Sequence, residues 1–109
     1  MDKKDGAGLG KLLTIVRKFK KENGFDRIIL FGSYARGDYG SGSDVDLLIV
    51  DRSFRKKSRF KRTKGLWIKW HSMQRGYPAD FICYSPEEFG RLKKQVSLVS
   101  EAIMEGIEV

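Results

Sequence analysis

Two stretches decide the fold of this chain: Phe31-Gly-Ser-Tyr-Ala-Arg-Gly37 and, one short loop later, Ser43-Asp-Val-Asp-Leu-Leu-Ile-Val50. From Asp44 onward the second stretch is the clearest strand in the sequence, because it is apolar except at Asp44 and Asp46. Side chains alternate along a strand, so both carboxylates share one face, about 6.5–7 Å apart along the backbone. Two acids at the end of an apolar strand are costly to bury unless a cation neutralises them, and carboxylate oxygens suit Mg²⁺.

Gly32 and Ser33 stand at a second junction, between the apolar run Arg27–Phe31 and a short helix predicted to reach about Arg36. The glycine lets the backbone approach a phosphate closely, and the serine adds a hydroxyl and is predicted to cap the helix. The amides of a helix N-terminus also favour an anion. A phosphate cradle beside a metal-binding pair of acids indicates nucleotide chemistry.

A third carboxylate, Asp80, begins another apolar strand, predicted over 79–84. In a strand Asp80 and Ile82 share one face. If this strand neighbours 44–50, three acids converge. Three carboxylates can hold two metal ions, one to bind a triphosphate and one to activate a hydroxyl nucleophile. Asp80 is therefore a candidate both for metal ligation and for the role of general base.

Further elements surround these motifs. An amphipathic helix is predicted over 9–22, where apolar residues recur at helical spacing, and Gly24 is suited to end it. A second helix is predicted at roughly 55–74. Ser85, followed by Pro86 and two acids, has the composition of a helix start, and apolar residues continue at helical spacing to Ile103. An edge strand is expected at 107–109.

The length of 109 residues fits one domain, predicted over 9–109 after a flexible tail at 1–8. One Cys and one His exclude a disulfide framework, a cysteine-based zinc site and a multi-histidine metal site within the chain. No stretch approaches the roughly 18–20 apolar residues of a membrane span, and the N-terminal residues lack the apolar core of a signal peptide. We therefore expect a cytoplasmic protein without a membrane partner.

The net charge of +8 is concentrated in the basic segment, residues 52–64, which holds eight cations and no acid. The rest of the chain is balanced, with 14 cations and 14 acids. The segment is interpreted either as a surface for NTP phosphates, RNA or an acidic protein, or as a solvated helix face. Nearby, Trp67, Ile68 and Trp70 exceed what one buried helix face needs, so they are either core or an exposed patch for a partner.

The quoted motifs give the chain a family resemblance. Phe31–Gly37 followed by Ser43–Val50 resembles the minimal nucleotidyltransferases of the DNA polymerase β-like superfamily, whose signature is Gly-Ser, a gap, and Asp-x-Asp in a strand. The segment Ala79–Phe89 is similar to their third strand and the helix after it. The resemblance spans roughly residues 9–106. It implies an α+β fold in which a mixed β-sheet is backed by helices.

The resemblance also implies a reaction: Mg²⁺-dependent transfer of a nucleoside monophosphate, AMP from ATP in our leading hypothesis, to a hydroxyl acceptor with release of pyrophosphate. Two Mg²⁺ ions and ATP or another NTP are the expected cofactor and substrate. By position, Gly32 and Ser33 would bind the nucleotide, and Arg36 and Ser43 are further candidates for nucleotide binding. A structural ion pair is the alternative for Arg36. The resemblance assigns catalysis and metal binding to Asp44, Asp46 and Asp80.

Many small members of this family are encoded beside a helical partner of the HEPN class and act as antitoxins, and some attach AMP to a tyrosine of that partner. The resemblance therefore implies a HEPN toxin as partner and acceptor. Two alternatives stay open: a binding module that neutralises its partner by contact alone, and an RNA-binding protein that uses the basic segment. Because so small a domain has little surface to hold an acceptor, a homo-oligomer is a further expectation.

Overall fold

The computed structural model describes residues 6–95 and 98–109. The elements are, in order, α1 (Gly6–Asn23), β1 (Arg27–Phe31), α2 (Ser33–Arg36), β2 (Val45–Val50), a 3₁₀ turn (Arg52–Lys56), α3 (Arg59–Met73), β3 (Ala79–Tyr84), α4 (Pro86–Leu92), α5 (Leu98–Glu105) and β4 (Ile107–Glu108). The expected α+β architecture is confirmed. None of the helices in the described ranges is long and apolar enough to cross a membrane.

The sheet has four strands in the order β3-β2-β1-β4. β1 pairs antiparallel with both β2 and β4, whereas β2 and β3 run parallel, so the sheet is mixed as expected. A parallel pair needs a long crossover connection, and α3 supplies it. The register pairs Asp46 with Asp80, so the two strands that carry these acids are neighbours in the sheet.

Each face of the sheet is covered by its own hydrophobic cluster. On one face α1 and α3 pack through Leu12, Phe19 and Trp70, all fully or almost fully buried, against alternate residues of the strands such as Leu47. On the other face α4 and α5 cover Leu48 and its same-face neighbours. Because side chains alternate, Asp46 lies on the α4–α5 face, at the strand end beyond the apolar cluster.

The region after β2 differs from the single helix predicted at roughly 55–74. Asp51 caps a 3₁₀ turn over Arg52–Lys56, and α3 begins only after Ser58, whose hydroxyl accepts a hydrogen bond from the Lys61 amide at 3.4 Å. The two caps satisfy amides that a continuous helix would have bonded internally. The prediction missed this because a basic run carries no periodicity signal strong enough to show a break.

The C-terminal helix is divided as well. Ser85 forms the predicted cap in full: its hydroxyl accepts from the Glu88 amide, and the Glu88 carboxylate accepts from the Ser85 amide. The helix that follows ends at Leu92, however, and α5 is a separate helix. At the other terminus, residues 6–8 are helical although they were predicted as part of a flexible tail, and the rest of that predicted tail lies outside the described residues.

Candidate active site

Three acidic residues stand at one end of the sheet. Asp46 and Asp80 are direct partners across the parallel pair β2–β3, whose backbones lie about 4.8 Å apart, as in any sheet. Asp44 precedes β2 by one residue, so all three acids stand at the same strand ends. Asp46 is half-buried, while Asp44 and Asp80 are exposed. The arrangement puts two solvent-accessible acids beside one that is anchored in the protein.

The electrostatics of this cluster are unfavourable as it stands. Burial raises the pKa of Asp46, and the nearby charges of Asp80 and Asp44 raise it further, while the Arg36 guanidinium acts in the opposite direction. In the part of the chain that the structure describes, none of the three carboxylates has a hydrogen bond or an ion pair. Repulsion among carboxylates that have no ion-paired cation is the condition that a bound metal ion relieves.

Gly32 lies directly against Asp46. Its backbone has φ +75° and ψ −154°, a combination open essentially to glycine. A Cβ atom at this position would lie 3.0 Å from the Asp46 Cγ and closer still to its Oδ2. The glycine of the Gly-Ser motif therefore makes room for the central carboxylate, in addition to the phosphate role expected for it.

Ser33 is the first residue of α2, but it does not cap the helix as predicted. The N-cap position belongs to Gly32, and no side chain closes that end with a hydrogen bond. The helix has only four residues and ends at Arg36, with the left-handed Gly37 as its C-cap. The Ser33 hydroxyl is thus not committed to a cap.

Arg36 and Ser43 both make protein contacts. Arg36 is exposed and forms ion pairs with Asp38 and Glu105, each at 3.2 Å, so the structural alternative named for it is realised. Its charge still reaches Asp46 and offsets part of the rise in the pKa of that acid. The Ser43 hydroxyl accepts a hydrogen bond from the Gly40 amide at 2.9 Å and so holds the loop before Asp44 in shape.

The donor chemistry of the three acids fits Mg²⁺, which prefers oxygen ligands. Among the described residues, however, no three His, Cys, Asp or Glu side chains are gathered closely enough to enclose a metal ion by themselves. Mg²⁺ is usually held by one or two carboxylates together with water and substrate phosphates. An open arrangement of Asp46, Asp80 and Asp44 matches that requirement, since phosphate oxygens would complete the ligand set.

The basic segment is less uniform than its sequence indicated. Arg52 and Arg55 pair with Asp26 and Glu87, two acids from elsewhere in the fold. Arg62 is buried, and donates hydrogen bonds to Glu88 and to two backbone carbonyls. Three of the eight cations are therefore structural. Those with no ion pair in the described part of the chain are Lys56, Lys57, Arg59, Lys61 and Lys64. An RNA-binding role for the segment stays a prediction.

The tryptophan cluster divides between core and surface. Trp70 is fully buried, and its indole N–H donates to the Tyr77 carbonyl at 2.7 Å. Trp67 and Ile68 are 54% and 59% exposed. Together with Phe60, which the sequence analysis missed, they line a cavity that reaches Asp80. The signal for Phe60 was its spacing of seven and eight residues from Trp67 and Ile68, which places all three on one side of a helix.

The mixed sheet carries Gly-Ser after its first strand, Asp-x-Asp at the start of the second and an acid paired in register on the third, as expected from the resemblance to the polymerase β-like nucleotidyltransferases. The family model for the nucleotidyltransferase domain matches residues 10–107. The chain therefore belongs to the nucleotidyltransferase domain family.

Two curated relatives come from Methanocaldococcus jannaschii, and each is named a "putative protein adenylyltransferase". One is 50% identical over 46 residues, which cover 37% of this chain and 46% of the relative. The other is 61% identical over 33 residues, 30% of this chain and 33% of the relative. The chain thus matches less than half the length of either. A solved structure described as a putative nucleotidyltransferase from Sulfolobus solfataricus superposes with a TM-score of 0.61 and 22% sequence identity. The match covers 99% of this chain and 87% of that structure's chain. That likeness shows the shared fold.

Proposed function

We propose that this chain transfers AMP from ATP to a hydroxyl group of a protein, in a reaction that depends on Mg²⁺. The names of the two curated relatives support both the adenylyl group and the protein acceptor. The observation that carries the proposal is the pairing of Asp46 with Asp80 next to Asp44, three carboxylates without a cationic partner in the described residues. This arrangement is unfavourable by itself and becomes favourable when a metal–triphosphate complex binds.

The bonds that change are few. The acceptor oxygen forms a bond to the α-phosphorus of ATP, and the bond from that phosphorus to the bridging oxygen of pyrophosphate breaks. Pyrophosphate leaves with the electron pair, and the hydroxyl proton passes to a base. When bound, Mg²⁺ would offset the negative charge of the phosphates and lower the pKa of the attacking hydroxyl.

The chain's own residues have separate tasks in this proposal. Asp44, Asp46 and Asp80 would hold the metal, and Gly32 keeps the space that the Asp46 carboxylate occupies. Asp80 is exposed at the strand end, so its carboxylate is open to a hydroxyl arriving from solvent and is the proposed acceptor of the proton. Ser33 has no cap to maintain, and its hydroxyl is the proposed donor to a phosphate oxygen.

The test is transfer of label from ATP that carries ³²P at the α position, with Mg²⁺ and candidate acceptor proteins. Wild type is expected to label an acceptor with AMP, whereas Asp44→Asn with Asp46→Asn abolishes labelling. A matched control is Glu22→Gln, which removes an exposed carboxylate whose contact is Lys18 at 3.9 Å on the surface of α1. Labelling that survives the double substitution, or fails in the control, refutes the assignment.

The finer part of the proposal concerns the acceptor. On the strength of the family resemblance, we propose a tyrosine of a HEPN-class toxin as the hydroxyl, with adenylylation as the antitoxin activity and the cytoplasm as the location. Coexpression with that partner separates modification from contact. If modification protects the cell, the double Asn variant fails to protect. If the chain acts as a binding module, for which the exposed Trp67 and Ile68 are the supporting observation, that variant protects as well as wild type.

A further inference from the structure

An apolar groove begins beside Asp80 and follows β3, the strand at the edge of the sheet. Its larger part has a volume of about 580 Å³, with Phe60, Trp67 and Ile68 on the α3 side. A smaller part of about 190 Å³ continues toward Tyr84, and Thr63 and Phe81 line both parts. Six residues of strand give the groove a length of about 20 Å.

The groove exists because α3 carries two apolar stripes. One of them, which includes Leu66 and Trp70, packs into the core. The other contains Phe60, Trp67 and Ile68, whose side chains are 71%, 54% and 59% exposed. A helix that needs only one apolar face to fold has no structural use for a second, so the second stripe indicates an occupant.

The charge along the groove indicates what that occupant is. Its lining includes two cations, Lys64 and Arg59, which lie over the rings of Phe60 and Tyr84 and have no ion pair within the described ranges. The acidic residue of the lining is Asp80, at the end of the groove where β3 begins. A segment that lies in the groove therefore meets apolar surface in the middle, the positive charges of Lys64 and Arg59, and the candidate catalytic residue Asp80 at its end.

We propose that this groove binds the acceptor protein, by a segment that combines apolar side chains with carboxylates and presents its hydroxyl at Asp80. The inference rests on the proposed function for the role of Asp80 but on the groove itself for the docking. It adds a sequence rule for the acceptor: apolar residues next to the hydroxyl, and acidic residues a few positions further away. Docking through the groove also explains how a hydroxyl is held in position for attack.

Binding of two peptides tests the proposal without any need for catalysis. Both have twelve residues, with a tyrosine near one end and leucines in the middle; one carries four glutamates and the other four lysines in their place. Fluorescence anisotropy of labelled peptide is expected to show at least ten-fold tighter binding of the acidic peptide to wild type. Arg59→Glu with Lys64→Glu is expected to reverse the preference.

Substitutions in the apolar part provide the second arm. Trp67→Ala is expected to weaken binding of the acidic peptide at least five-fold. Met104→Ala, which truncates an apolar side chain on α5 that is more exposed than Trp67, at 88%, is expected to leave that binding unchanged. Because Trp67 is exposed, the fold is expected to tolerate its loss, and circular dichroism verifies this. Asp44→Asn with Asp46→Asn should retain peptide binding while losing label transfer.

Three results would overturn the inference. If wild type binds the two peptides equally well, the inference that the groove binds an acidic segment is wrong. If Trp67→Ala weakens binding of ATP with Mg²⁺ but not of peptide, the groove holds the nucleobase instead. If wild type sediments as a dimer and Trp67→Ala as a monomer, with no peptide bound by either, the occupant is a second copy of this chain. Peptide binding in the absence of any label transfer would refute the proposed function and leave the docking groove standing.

Discussion

Substitution of Gly32 by alanine tests whether the Gly-Ser motif supports the acid cluster. The alanine must adopt φ +75° and ψ −154°, which costs about 1–3 kcal/mol. Its Cβ would lie 3.0 Å from the Asp46 Cγ, well inside the ordinary carbon–carbon contact of about 3.5–4.0 Å. Relief of that contact requires the carboxylate to turn away, which adds about 1–3 kcal/mol of overpacking.

The expected total is therefore about 2–6 kcal/mol of lost stability, measured by urea unfolding. The loss of activity should be larger than the loss of stability alone explains, since displacement of a reacting group by about 1 Å can reduce the rate about 100-fold. Label transfer is assayed well below the unfolding midpoint of the variant, so that unfolded protein does not contribute.

Gly24→Ala is the matched control. Gly24 also has a positive φ, +66°, but nothing lies within 4 Å of the position its Cβ would take. The control therefore also carries a penalty for positive φ, about 1–2 kcal/mol, without the contact with Asp46. If Gly32→Ala loses no more activity than Gly24→Ala, the claim that Gly32 keeps space for the candidate catalytic carboxylate of Asp46 is wrong.

Three further predictions concern stability and reactivity. Arg62→Ala should lower the free energy of unfolding by about 3 kcal/mol, because it leaves Glu88 and two backbone carbonyls without their buried donor. The control Lys61→Ala should change that free energy by less than about 0.5 kcal/mol. Equal effects of the two substitutions in urea unfolding would contradict the prediction. Asp46→Asn should stabilise the metal-free chain at pH 7. In wild type, the pKa of Asp46 in the folded state lies above the unfolded value of 3.8. The carboxyl group therefore stabilises the folded state below pH 3.8, and this stabilisation is lost as pH rises through the folded pKa. The advantage of the variant should therefore vanish as pH falls toward 3.8, and a variant less stable than wild type at pH 7 in EDTA refutes the repulsion argument. Burial raises the pKa of Cys83 to about 12, so its thiol should react with Ellman's reagent only when the chain unfolds, and rapid reaction in native buffer would show that the buried position is wrong.

Much of the fold could be predicted because the strands are short apolar runs with a distinct boundary. β1, β3 and the last strand lie where the alternation and the turn residues placed them. The Ser85 cap was predicted from composition, because a serine, a proline and two acids have a specific local geometry. Local signals of this kind do not depend on the rest of the molecule.

Helix boundaries and side-chain burial were predicted less well in the basic segment, where charged residues leave no clear hydrophobic periodicity. One helix was predicted at roughly 55–74, yet Ser58 caps a new helix that begins at Arg59. Arg62 was counted with the surface cations, but it is buried on Glu88. The position of a cation in the sequence does not show which acid it meets, because that acid lies 26 residues away along the chain.

By itself, the sequence determined the class of chemistry. The Gly-Ser and Asp-x-Asp motifs need only one strand end each, and the alternation of side chains is enough to put Asp44 and Asp46 on one face. The tertiary structure decided which residues lie next to these motifs. The parallel pairing of β2 with β3 puts Asp80 opposite Asp46, and the packing of α3 on the edge strand leaves Trp67 outside and Trp70 inside. These relations join residues far apart in the chain, and only the registration of strands and the rotation of a helix against the sheet can fix them.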